Sequence, residues 1–299
     1  MRRLLLASCT SVALALGSFS PAHAEPQVSE STAEGPAMWK VADEDTTIYL
    51  FGTVHLLPKD VEWFSGDIEN ALASADTLVT EIVDTDLNDP AMQQKTMALG
   101  LYTDGTSLRS VMDNEERATY EAALGSLGLP PGAFDQFEPW LAGLTLSVLP
   151  LMQAGYQAES GVEKVIEAKF GPDRTREGLE TVDYQLGVFD GLPEDTQLEF
   201  LISSAEYSQK LVPMMNEMVG EWLDGDADGL AVLMNEGLKD EALAEALLYQ
   251  RNRNWVDWID TRLDTPGTVF VAVGAGHLAG KGSVQDYLTQ RGITVTRVR

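Results

Sequence analysis

The chain is short of most things that would make its function easy to read. It has one cysteine and three histidines in 299 residues, and 20 lysines and arginines against 47 aspartates and glutamates, a formal net charge of −27. The one cysteine, Cys9, lies in the leader described below, so the remaining chain has neither a disulfide framework nor a thiolate metal site and must fold on its apolar core. The acidic balance repels nucleic acid phosphates and anionic lipid headgroups, which excludes nucleic acid as a partner. After the leader there is no long hydrophobic run. Trp140 to Ala154 is the longest, it contains Pro150, and it falls short of the roughly 18 residues that a membrane span requires. It is expected as a buried helix. No Walker loop, nucleophile elbow, H-E-x-x-H helix or G-x-G-x-x-G fingerprint is present, which removes the commonest nucleotide-binding, serine-hydrolase and zincin readings.

What is there begins with a targeting segment. Arg2 and Arg3 precede an apolar stretch from Leu4 to Leu16, and Ala22-His23-Ala24 has the small-x-small pattern of a cleavage site. Residues 1–24 are therefore expected to be a signal peptide, and the mature protein to be periplasmic or secreted. Leu6-Ala7-Ser8-Cys9 has the look of a lipobox, but too little apolar sequence precedes Cys9 to favour a lipoprotein. Cleavage removes two arginines and no acids, so the mature chain is two charges more negative than the precursor. Residues 25–37 are polar and are expected to be a disordered lead-in.

The mature sequence reads as strands at its two ends with a helical block between them. Trp39 to Val41, an acidic turn, and Thr47 to Phe51 predict a hairpin whose second strand, apolar on both faces, lies inside a sheet. A helix to about Ala73 and a strand over Thr77 to Val83 follow, a strand-helix-strand unit that predicts a parallel crossover. From about 89 to 264 the patterning is helical, opened by Asp89 as N-cap and Pro90 at the first position. Helices are expected over 114–124, 139–154, 161–170, 182–189, 193–223 and 241–263, with a short strand over 175–180. A strand over Val269 to Val273, a helix over 283–290 and a strand over 294–298 close the chain. This predicts an α/β fold: a mixed, largely parallel sheet from the N- and C-terminal parts, one domain over 38–299, and a helical insertion.

The two histidines outside the leader stand in matching contexts. Gly52-Thr53-Val54-His55 ends one apolar strand and Gly274-Ala275-Gly276-His277 ends another. In open α/β sheets, ligands bind beyond the carboxyl ends of strands. Glu81 lies near the end of the strand between them. Two imidazoles and a carboxylate form a ligand set for a divalent ion such as Zn, Mn, Co or Fe. The alternatives are two ordinary turn histidines and a strand carboxylate paired with an arginine, since a buried carboxylate needs some partner. Arg251 and Asn252 lie on the long helix 241–263 and need partners too. Arg251 is either an anion clamp at the site or a side chain snorkelling at the helix flank. Asp224-Gly225-Asp226-Ala227-Asp228-Gly229 imitates the start of a calcium loop, but the required glutamate falls one residue late, and an acidic turn is expected.

Several of these stretches together resemble the TraB/GumN family. They are Tyr49 to Pro58, Glu81, Gly178-Leu179-Glu180-Thr181 with Gln185, Arg251-Asn252, and Val273 to Gly280. The family is related to the TIKI membrane-anchored proteases and shares its fold with erythromycin-esterase-like and ChaN-like proteins. The resemblance runs from about Trp39 to Val298. It implies an α/β core with a helical insertion and a site of two G-x-x-H histidines and a strand glutamate, which in the TIKI branch is a metal-dependent protease centre. Carried onto this chain, His55, His277 and Glu81 form the metal set, Glu81 doubling as a catalytic group, with Glu180 and Arg251 as further catalytic candidates. The chain departs from the family at Asp183-Tyr184-Gln185, where relatives often have Glu-Glu-Gln, and at Glu163, where many have aspartate.

The function expected is that of an exported metal-dependent hydrolase acting on a peptide bond, with a peptide or other small molecule as substrate. The alternative is a non-catalytic periplasmic protein that binds a peptide signal, a metal or haem in the same cleft. A third possibility is a scaffold whose histidines are structural.

Overall fold

The structure, a computed structural model, describes residues 35–83, 90–237 and 241–299. The expected signal peptide, most of the lead-in and the N-cap Asp89 lie outside these residues. Of the lead-in, Pro36 and Ala37 are buried, so packing begins ahead of the first strand.

In chain order the elements are β1 (Met38–Ala42), β2 (Thr46–Thr53), β3 (Leu57–Pro58), α1 (Gly66–Ser74), β4 (Thr77–Thr80), α2 (Pro90–Gly100), α3 (Asn114–Ser126), α4 (Pro139–Gln153), β5 (Tyr156–Gln157), α5 (Val162–Phe170), β6 (Thr175–Gly178), α6 (Val182–Asp190), α7 (Glu194–Tyr207), α8 (Leu211–Leu223), α9 (Ala227–Gly237), α10 (Glu241–Ala244), α11 (Gln250–Leu263), β7 (Gly267–Gly274), α12 (Val284–Gln290) and β8 (Val295–Arg297). Six strands form one sheet in the order β6-β4-β7-β2-β1-β8. The four from β6 to β2 are parallel, and β1 runs antiparallel to both neighbours. The architecture is therefore α/β with a mixed, largely parallel sheet, as the sequence predicts.

The sheet is covered on both faces, which is why its inner strands carry no polar stripe. Phe51, Phe270 and Ala272 pack on one side with Ile68, Leu72, Ile166 and Trp222. Ile48, Leu50, Val269, Val271 and Val273 alternate to the other side, against Trp255, Val256, Ile259, Val284 and Leu288. A separate helical core forms where α3, α4 and α7 meet, around Tyr120, Leu146 and Leu201. Trp140 to Leu151 is buried along nearly its whole length, and no helix among the described residues is long and apolar enough to cross a membrane.

The structure departs from the sequence expectation at four places. The short strand expected inside the helical insertion, β6, joins the main sheet as an edge strand beside β4, where the sequence predicts a sheet from the N- and C-terminal parts alone. The strand expected over 77–83 stops at Thr80, where the Gly274 N–H that would extend the ladder donates instead to the Glu81 side chain. The helix expected over 193–223 breaks between Tyr207 and Leu211 into α7 and α8. The helix over 241–263 is continuous but contains a π-helical turn at Glu245–Tyr249. The acidic turn at 224–229 acts as a helix start: Asp226 Oδ1 accepts from the N–H groups of Asp228 and Gly229 at 3.1 and 2.8 Å.

The chain after β2 is held from several directions. The Trp222 indole donates to Gly52 O at 2.8 Å, Val162 N–H donates to Val54 O at 3.0 Å, and β3 pairs with β5 just beyond His55. Gly161 lies against this loop so closely that a Cβ there would be 2.2 Å from His55 O, although its φ of −57° suits any residue. Gly161→Ala is therefore expected to cost about 1–3 kcal/mol in chemical denaturation through steric displacement alone. A variant as stable as the parent would show that the His55 loop is not fixed in this way.

Candidate functional site

The site follows from strand register. β2 and β7 are parallel neighbours in which Thr53 pairs with Gly274, so the two G-x-x-H turns leave the same edge of the sheet side by side. They touch: a Cβ on Gly52 would be 3.0 Å from Ala275 Cα. On the other flank of β7, β4 ends at Thr80, opposite Ala272, and Glu81 is the next residue. One strand further out, Gly178 of β6 pairs with Thr80, and Glu180 follows two residues later. His55, His277, Glu81 and Glu180 thus come from the carboxyl ends of four adjacent parallel strands, the position at which open α/β sheets bind ligands.

The convergence can be measured from Gly274. A Cβ on this residue would lie 3.1 Å from Glu81 Oε1, 3.6 Å from His277 Cδ2 and 3.6 Å from His55 Nε2. A side chain here would enter the space the three groups share and press on the Glu81 carboxylate. His277 Nε2 is 4.0 Å from Glu81 Oε1. The three residues proposed from the sequence therefore meet in one place.

Each imidazole is oriented by a partner on its other nitrogen. Asn252 donates its amide to Gly282 O at 2.7 Å, which turns Oδ1 toward His277 Nδ1 at 2.5 Å. The acceptor assigns the proton to Nδ1 and leaves Nε2 as the basic atom of the neutral ring, facing Glu81. The Trp255 ring, 4.2 Å away by centroid, completes the packing of His277. His55 Nδ1 lies 2.6 Å from Glu163 Oε1, and the Thr53 hydroxyl donates to the same oxygen. Glu163 comes from the first turn of α5.

Arg251, on the first turn of α11 just after the π-helical turn, is an internal clamp. Its Nη2 donates to Glu81 Oε2 at 2.6 Å and to Glu180 Oε2 at 2.8 Å, its Nε donates to Glu180 Oε1 at 2.8 Å, and its Nη1 donates to Leu247 O at 3.1 Å. Gln185 donates to both carboxylates, at 3.0 and 2.9 Å, and the Trp255 indole donates to Glu180 at 2.9 Å. Arg251 is 1% exposed, so the snorkelling alternative is excluded and the partner of Glu81 is an arginine. Glu180, with both oxygens engaged, anchors Arg251.

These contacts set the electrostatics. Burial would raise the Glu81 carboxyl, but Arg251, the two histidines and the Gly274 N–H outweigh it and hold it far below the usual range. Burial, reinforced by Arg251, drives His277 well below 6.5, so its ring is neutral. Burial pulls His55 in the same direction, yet Glu163 overrides it and raises His55 to about 9. The Glu163 carboxyl is lowered in turn: burial opposes this, and His55 and Thr53 prevail. His55 and Glu163 are also the solvent-facing side of the site, with side chains 20% and 19% exposed, against 0% for His277 and 6% for Glu81.

Among the described residues, no group of three or more His, Cys, Asp and Glu side chains is already arranged to hold a metal ion. The donor chemistry nevertheless fits one. Two imidazoles have Nδ1 tied to an acceptor, as metal-ligating histidines do, and a carboxylate shares the space above Gly274. Sequence reasoning missed Glu163 as the partner of His55. Its signal was faint: an acid at the second position of a helix, on a segment that β2 meets only in the folded chain.

A covered parallel sheet whose strand ends gather two G-x-x-H histidines and an arginine-clamped glutamate defines a class of α/β proteins with one buried polar centre. The chain belongs to the TraB/PrgY/gumN family, whose sequence profile matches residues 37–297. It is similar to the uncharacterized protein YbaP of Escherichia coli K12 and to its Shigella flexneri counterpart, each 22% identical over 241 residues, 80% of this chain and 87% of theirs. An uncharacterized protein of Treponema pallidum is 22% identical over 268 residues, 85% of this chain and 80% of its own. No solved structure matches the chain.

Two predictions follow from the contacts. Arg251→Met leaves two buried carboxylates without their cation and is expected to cost about 3–5 kcal/mol in denaturant unfolding. Arg251→Lys should restore little, because one ammonium cannot span both carboxylates; full stability in either variant would contradict the clamp. For His55 in the metal-free protein, a folded pKa above the ordinary 6.5 means that protonation favours the fold. That contribution is complete below about pH 6.5 and lost as the pH rises through about 9. A ring-proton NMR titration should place the midpoint near 9, and Glu163→Gln should bring it down to 6.5 or below. A midpoint unmoved by that substitution would show that Glu163 does not set it.

Proposed function

We propose that this is an exported hydrolase dependent on a divalent metal ion and acting on peptide bonds, with His55, His277 and Glu81 as the metal-holding residues. The observation that carries the reading is the meeting of His55 Nε2, His277 and Glu81 Oε1 around Gly274. Charge supports it. Glu81 and Glu180 share the guanidinium of Arg251, and Glu163 faces His55; once His55 gives up its proton to become a ligand, these groups leave two negative charges for a doubly positive ion to balance. When bound, such an ion supplies Lewis-acid polarisation of a carbonyl and an activated water.

The chain's own groups divide the remaining work. Asn252 and Glu163 hold the two rings in orientation through Nδ1. Arg251, fixed by Glu180 and by the Leu247 carbonyl, keeps Glu81 ionised, which suits it to hold a cation and makes it a weak proton acceptor at neutral pH. Among the three carboxylates, Glu163 is the one with appreciable solvent contact, so it is the group placed to exchange protons between the site and water. Export rests on the leader over residues 1–24.

A second reading, a periplasmic protein that retains a peptide signal, a metal or haem without turnover, draws on one feature. Both oxygens of Glu81 and of Glu180 are already engaged, leaving neither well placed as a general base. Elemental analysis of the purified protein, together with hydrolysis of a mixed peptide pool, separates the two. Under the hydrolase reading, about one divalent ion per chain is found. His55→Ala is then expected to lower both metal content and turnover at least about 100-fold. Unchanged metal content and unchanged hydrolysis in His55→Ala would refute the assignment, and tight retention of peptide without turnover would favour the binding protein.

A further inference from the structure

Beside the histidine site, an open cleft runs from His55 and Gly274 between the sheet edge and helices α4, α8 and α9, enclosing about 710 Å³ of space, solvent at its mouth included. Away from His55 its wall is aliphatic and thioether: Val148 and Leu151 from α4, Met215 and Met218 from α8, and Leu230 and Met234 from α9. Two lining residues carry hydroxyls, and both hydroxyls are engaged elsewhere. Thr53 donates to Glu163, and Ser147 is bonded to Gly143 O at 2.9 Å and to Ser204 Oγ at 3.1 Å. Among the described residues, no lysine, arginine, aspartate or glutamate lines the cleft. A charged or strongly polar group entering it would lose its hydration with no partner to replace it.

We propose that this cleft binds an aliphatic side chain of a peptide, belonging to the residue next to the bond presented to the histidine site. That this bond is one to be cleaved rests on the hydrolase reading above; the binding preference does not. The occupant is argued from continuity and chemistry. His55 and Gly274 belong to both the site and the cleft wall, so a chain with its carbonyl at the histidines has a neighbouring side chain within reach of the methionines. Three unbranched thioethers adapt to differently shaped aliphatic groups, which predicts tolerance among leucine, methionine and isoleucine and rejection of aspartate and lysine.

The test measures binding without turnover. Acetylated, amidated pentapeptides that differ at one residue (Leu, Met, Ser, Asp or Lys), with a reduced CH2–NH linkage after it, are titrated into the full-length protein by calorimetry. The leucine and methionine peptides are expected to bind about tenfold or more tightly than the aspartate and lysine peptides. Met215 is only partly buried, so Met215→Lys should fold. It is expected to abolish this preference at an unchanged melting temperature, while Met215→Leu keeps it. Equal affinity across the series, no measurable binding by any of the peptides, or a preference untouched by Met215→Lys overturns the proposal. Tighter binding of octanoyl amide than of the leucine peptide also overturns it, by assigning the cleft to an acyl chain. If the preference holds but the unmodified leucine peptide is not cleaved, the peptidase reading fails and the cleft assignment stands.

Discussion

One guanidinium, 1% exposed, joins the carboxylates that end two adjacent parallel strands. Without Arg251, Glu81 and Glu180 would be two buried like charges at the ends of β4 and β6, an arrangement too costly to keep both ionised. With it, Glu81 stays an anion, and its other oxygen accepts the Gly274 N–H where the β4–β7 ladder stops. The same helix turn carries Asn252, which fixes His277, and Trp255, which packs on His277 and donates to Glu180. α11 therefore does more than cover the sheet: three side chains within five positions set the charge and orientation of the site. The π-helical turn immediately before Arg251 adds a residue to the local winding, a device that recurs at functional sites.

The two histidines are unlike each other despite their matching sequence contexts. His277 is enclosed, neutral and held by an amide; His55 is half-open, drawn toward protonation, and held by a carboxylate. The site thus has an inner, enclosed side formed by the sheet and α11, and an outer side where Glu163 and the cleft wall meet solvent. This asymmetry gives a direction of approach, from the His55 side, and it places the aliphatic cleft along that approach.

Much of this was legible before folding, and the reasons differ by element. β2 and β7 were legible because strands covered on both faces must be apolar throughout, and the glycines after them marked turns. The G-x-x-H pair was legible because so few histidines remain in the chain. Glu81 and Arg251 stood out as polar groups in apolar contexts, each in need of a partner, but local sequence could not show that they are each other's partner. Pairing of that kind is set by strand order, and nothing in residues 77–83 reveals that β7, not β2, lies beside β4. β6 was readable as a short strand but not as part of the main sheet, because its four residues are mostly exposed and carry no buried pattern. Glu163 was hidden for the same reason: its role depends on α5 starting against the His55 loop, a contact set by Gly161 and the Val162–Val54 hydrogen bond.

The central claim is that the two G-x-x-H turns and the end of β4 make one cation site. Anomalous diffraction at the zinc edge, from crystals of the full chain grown with zinc, tests it most directly. The account predicts a single strong peak beside Gly274, within bonding distance of His55 Nε2, His277 Nε2 and Glu81 Oε1. A map with no peak there, or with a peak bound by one histidine while the other keeps its distance, would contradict it.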